Sequence, residues 1–194
     1  MNNMLAQYIT SQAHNNAWAN HRLLKACAQL TEAEFQATRV SFFPTIQSTL
    51  NHILTCDWFY LDALERELRG DVPHPDCYTF FAQDEPCTDC ATLQAQQQAS
   101  DARLIAHCRS LCDADLARPV TILRDTPQTD TRLRLLAHLF QHQIHHRGQV
   151  HAMLAGTRIA PPQLDEFFCA GEADERAQDF AELGWTENDV WGQR

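Results

Sequence analysis

The sequence predicts an all-α protein, a four-helix bundle with a short C-terminal extension, and three observations carry that expectation. Four segments of roughly twenty-five residues hold apolar or small side chains at helical spacing. Capping and stop residues bracket them, and only the run "PVTIL" is β-branched over the length of a strand. The 194 residues, 44% hydrophobic and 21% charged, suffice for one core, so residues 1–194 are expected to form one domain.

The first helix is expected over residues 4–29, where Leu5, Ile9, Trp18, Leu23, Leu24 and Cys27 recur without an interrupting Gly or Pro. "TEAEFQA" has the Thr-x-x-Glu capping box of a short helical turn. "SFFPTIQSTLNHILTCDWFYLDALERELRG" reads as the second long helix, with Pro44 in its first turn and Gly70 at its stop. The Pro-rich "GDVPHPDCYTFFAQDEPC" reads as a long loop, and a third helix follows from about Thr88 to Leu111. "PVTIL" is a short strand or hairpin arm. "TPQTDTRLRLLAHLFQHQIHHRGQVHAMLAG" supplies the fourth helix, capped by Thr129 or Asp130 and stopped by Gly156. The acidic tail 172–194 carries a short helix through "DERAQDFAEL", and Trp185 and Trp191 need a surface, on the bundle or on a partner.

Fifteen basic against twenty-five acidic residues leave a formal charge of -10, which repels a nucleic-acid backbone. With neither a signal-type N-terminus nor a stretch of membrane-spanning length, cytoplasmic residence and no membrane partner are expected. The eight cysteines then read mainly as free thiols. Cys87 and Cys90 form the one CxxC, but a helix from residue 88 to 112 would hold Cys90 and Cys108 about 27 Å apart, which forbids a zinc ion shared with Cys108 and Cys112. The pair reads as unlinked thiols or, less simply, as a redox motif.

Five of the ten histidines crowd into "HLFQHQIHHRGQVHAML". His142 and His146 differ by about 40° and lie about 6 Å apart on one helical strip. Leu135 and Met153 lie on the same strip, which turns it inward. His52 sits on a second inward strip with Cys56, Phe59 and Ala63. Three neutral nitrogen donors from two helices match the ligand count at which catalytic metal sites keep coordination positions open. The metal ligands expected are therefore His52, His142 and His146. His138 and His145 flank the pair and are the nearest candidates for proton transfer. His151 points away and reads as structural; His14 and His21 share a face that reads as an amphipathic surface or interface, with a second histidine pair as the alternative. His74 and His107 belong to no constellation. Position 143 is Gln, so the pair lacks the glutamate of His-Glu-x-x-His peptidases. Arg147 and Gln149 are expected to brace the helix.

"NAWANHRLL", "SFFPTIQSTLNHILTCDWFYLDAL" and "HLFQHQIHHRGQVHAMLAG" followed by "PPQLDEFF" together resemble the DinB-like (damage-inducible) family of metal-dependent enzymes over nearly the whole chain. The most specific piece is His-x-x-x-His-Arg-Gly-Gln, His142 to Gln149, with Asn-His-Ile-Leu before it. The resemblance implies an up-down-down-up bundle, often a homodimer, with a divalent ion on His52, His142 and His146. Some relatives are thiol-dependent transferases or isomerases. The chain departs from the simplest pattern at Cys56, a bystander or an additional soft ligand, and at His145.

The functional expectation is a divalent-metal-dependent hydrolase or thiol S-transferase acting on a small molecule. Zinc or nickel lead, with iron or manganese as alternatives, and a low-molecular-weight thiol is a candidate cosubstrate. The ion would lower the pKa of bound water towards about 7 or stabilise a bound thiolate. The alternative is a non-catalytic metal-binding or interaction bundle.

Overall fold

A computed structural model of the chain describes residues 3–192. Four long helices dominate it: α1 (Met4–Cys27), α3 (Ile46–Arg69), α4 (Cys90–Arg109) and α5 (Arg132–Ala155), with the single turn α2 (Glu32–Phe35) after α1. The hairpin of β1 (Pro119–Leu123) and β2 (Pro127–Thr131) joins α4 to α5. The short α6 (Ala173–Leu183) and α7 (Glu187–Trp191) complete the described chain.

The helix boundaries follow from side chains that take up free backbone N–H groups. Thr31 and Glu34 close the expected capping box of α2. Thr45 accepts from the Ser48 N–H at 2.9 Å, so α3 starts after Pro44 and that proline precedes the cap instead of occupying the first turn. Gly70 ends α3 at φ 76°, a left-handed conformation that suits a residue without Cβ. The cap of α5 is Thr131, not Thr129 or Asp130. Those two residues pair with Thr121 and Val120 in the hairpin, and this extended pairing holds them out of the helix.

Side-chain contacts set the sense of each helix pair. The Ala6 N–H donates to Asp113, just beyond α4, and Cys90 at the start of α4 reaches Leu24, so α1 and α4 run antiparallel. Gln97 meets Asp57 and Arg103 meets Glu65, which makes α3 and α4 parallel. His52 meets His142 while Glu67 pairs with Arg132, so α3 and α5 are antiparallel. Early residues of α1 (Ala6, Ile9) share a cluster with Leu136 and Leu139, and late ones (Leu23, Leu24) share another with Val150 and Met153. These two helices therefore run side by side in the same direction.

Those two apolar clusters occupy opposite ends of the four-helix interior, with a belt of buried polar groups between them: Asn16, Asn20, Asp57, Gln97, Asp101, Gln143 and Arg147. A third cluster attaches the C-terminal segment to α1. Trp18 is fully buried among Phe167, Phe180 and Val190, its indole N–H donates to Asp179 at 3.1 Å, and Arg22 pairs with the same carboxylate at 2.6 Å. Trp185 and Trp191 pack on this cluster; residues 193 and 194 of the tail lie outside the described residues. Among the described residues no helix is long and apolar enough to cross a membrane.

Candidate metal centre

Antiparallel packing of α3 on α5 brings together two strips of spacing four, His52/Cys56 and His142/His146. The three expected imidazoles converge: ring centroids lie 4.4 Å apart for His142 and His146, 4.6 Å for His52 and His146, and 5.0 Å for His52 and His142. The Nε2 atoms of His52 and His142 are 3.1 Å apart, and the buried Nδ1 of His142 has no hydrogen-bond partner. Buried polar atoms normally find partners, so opposed imidazoles with an orphaned nitrogen suit a divalent ion better than a closed structural network.

Donor-atom spacing and donor chemistry favour different third partners. The set whose ligand atoms all lie within 4.8 Å of one another is His52, Cys56 and His142. Burial, however, pushes the Cys56 thiol up to about 12, so forming its thiolate is costly. His146 carries no such cost. Its Nδ1 pairs with Gln149 Oε1 at 2.8 Å; with the amide oxygen accepting, the proton is held on Nδ1 and Nε2 keeps a free lone pair. Gln149, expected only to brace the helix, thus acts on the site itself. The histidines are also set neutral: burial, then the charge of His146, lowers His52 to about 4, and burial and the surrounding histidines lower His142 to about 3.

Phe43, from the irregular segment before α3, covers one side of the cluster, with its ring 4.4 Å from His52 and 5.6 Å from His146. The other side opens into a cleft of about 480 Å³, walled by Phe59, Tyr60, Phe81 and Leu123, with Arg124 and His138 also lining it. Of the two flanking histidines, His138 stacks on Tyr60 at 5.5 Å inside this cleft, whereas the exposed His145 lies outside it and meets Gln149 at 3.2 Å. Phe43, Tyr60 and Arg124 were missed by sequence reasoning. The doublet "FF" before Pro44 was a faint signal for the first, and none marked the other two.

The remaining histidines separate. His14 is wholly buried, not on an amphipathic surface; its ring is fixed between the Thr10 carbonyl and Arg109 and edges onto Trp185. The seven-residue spacing left it facing the docked tail, which periodicity does not reveal. His21 joins Asp179 and Glu182 in a second group of metal-ligand type. There the carboxylates already pair with Arg22 at 2.6 Å and Lys25 at 2.7 Å, so the group fastens the tail to α1. His151 meets the Pro162 carbonyl, as a structural residue should. All eight cysteines are free, and among the described residues no metal-type group includes Cys87 or Cys90.

The sequence profile of the DinB family matches residues 1–177. The solved structure of a DinB-like protein from Bacillus cereus is similar in fold, with a TM-score of 0.56 at 18% identity, over 75% of this chain and 90% of that one. No curated protein matches.

Proposed function

The chain belongs to the DinB family, and from that premise we propose that it is a divalent-metal-dependent enzyme, a hydrolase or thiol S-transferase for a small molecule, built on an up-down-down-up four-helix bundle. The observation that carries the reading is the convergence of His52, His142 and His146, the first two of which line a largely apolar cleft. The senses of the four helix pairs support the bundle.

His52, His142 and His146 would hold the ion, with Cys56 the alternative third donor. Zinc or nickel suits imidazole ligation, and such an ion supplies Lewis acidity to an oxygen or sulfur presented by the cleft. The protein's own groups do the rest. Gln149 fixes the tautomer of His146, Phe43 shields the cluster from solvent on one side, and the aromatic walls bind the apolar part of a substrate. His138 stands in the cleft one turn from His142 and is placed to hold or move a proton, while His145 lies outside the cleft and meets the edge of the His146 ring at 4.9 Å.

The test is metal analysis of protein purified without an affinity tag, with H52A as control. Near-stoichiometric metal in the native chain and loss in H52A supports the site. Loss in H146A but retention in C56S identifies the third ligand as the imidazole; the opposite result identifies the thiol. Full metal content in all the variants overturns the assignment.

A further inference from the structure

The cleft beside the histidines contains one guanidinium, and we infer that Arg124 anchors a carboxylate there, so the ligand class is a small carboxylate with an apolar or aromatic body. The inference rests on the reading above for the identity of the cleft as the working site. Arg124 sits on the hairpin turn after β1 and donates to the Tyr60 hydroxyl at 2.7 Å. Tyr60 is buried on α3, so the bond ties an otherwise exposed arginine to the cleft wall while using one of its five N–H donors. Among the described residues no carboxylate lies within ion-pair distance of it. Tyr60 takes one of its donors, and its place in the cleft gives the others a use.

The other charge at the cleft is Asp125, and it is committed elsewhere, accepting from the exposed Tyr78 hydroxyl at 2.7 Å. The positive charge of Arg124 is felt at Tyr60 on the cleft wall, whereas the negative charge of Asp125 bears on Tyr78 at the rim. Phe59, Phe81 and Leu123 offer apolar walls between this anchor and His142, so a ligand that pairs its carboxylate with Arg124 lays its body along them. The carboxylate could belong to the substrate or to a thiol cosubstrate, since common low-molecular-weight thiols carry one.

Calorimetric titration of benzoate against the neutral isostere benzamide tests this, in metal-stripped and zinc-loaded protein, with R124Q and R124K. The native chain should prefer benzoate by about tenfold, the worth of one charge-assisted contact. R124Q should bind both equally, and R124K should retain part of the preference. N-Acetylcysteine separates the two sources: tighter binding than benzoate in zinc-loaded protein assigns the carboxylate to a thiol cosubstrate, and weaker binding assigns it to the substrate. Because the preference is also read without metal, failure of the metal assignment leaves this result legible. Equal affinity for the two probes, no binding of benzoate, or a preference that survives in R124Q overturns the inference.

Discussion

Two sets of polar side chains occupy the same turns of α3 and α5 and are completed in opposite ways. Shifted by one residue from Cys56, His142 and His146 lie Asp57, Gln143 and Arg147, with the same spacing of four on α5. The second set faces the interior between the four long helices and bonds within the protein, the amide oxygens of Gln97 and Gln143 excepted. Arg147 donates to Asn16 at 2.5 Å and Asn20 at 3.0 Å, both asparagines donate to Asp101, and Gln97 and Gln143 donate to Asp57. Of the first set Cys56 and His142 line the cleft, and the Nε2 of His142 stands opposed to that of His52 while its Nδ1 has no partner. A buried polar group that its neighbours satisfy holds helices together; one that they leave unsatisfied is available to a ligand.

Four measurements can break or sharpen this contrast. The largest effect is expected for R147M, which leaves Asp57 and Asp101 buried without a cation. It should cost on the order of 3–5 kcal/mol in urea denaturation above pH 8, where both carboxyls are ionised, and a loss under 1 kcal/mol there would show that the belt is not the fastening described. H142A should instead lower zinc affinity by about a hundredfold or more while changing metal-free stability by less than about 1 kcal/mol. A comparable loss of metal-free stability would erase the distinction between the two sets.

The two sets also respond to pH with opposite sign. Burial raises Asp57 to about 7 and Asp101 to about 8, so the folded protein keeps protons that the unfolded chain releases above its pKa of 3.8. Their stabilisation is complete below that value and lost as pH rises through about 8. His52 and His142, lowered to about 4 and about 3, refuse protons that the unfolded chain accepts below 6.5, so their contribution is lost as pH falls from 6.5. Between pH 6.5 and 8 the carboxyls dominate, and metal-free stability should decline with rising pH. D101N should flatten that slope and H142A should leave it unchanged; a slope that rises with pH would contradict the burial argument. The smallest effect belongs to Q149A. Removing the amide that orients His146 should weaken zinc binding by about tenfold, and unchanged affinity would leave Cys56 as the better third donor.

The helices, several of their caps, and the inward strip of His142 and His146 were legible because each depends on spacing within one segment. The start of α5 was not. Thr129, Asp130 and Thr131 are all sound capping residues, and only pairing across the hairpin removed the first two. His14 was misplaced for a related reason: the segment that buries it is more than 150 residues away in sequence. Arg124 and Tyr60 had no local pattern at all, since a strand turn meeting a helix leaves no period.

The one-dimensional pattern by itself determined four amphipathic rods, where they stop, and which imidazoles share a face, because helical geometry converts residue number directly into direction. Only the packed chain decided that α3 meets α5 at His52, that Phe43 and Arg124 flank that meeting point, and that Arg147 is spent in the interior between the helices. Those outcomes depend on which faces find each other at contact distance, and contact between distant segments is selected by the fit of the whole core, not by any one stretch of it.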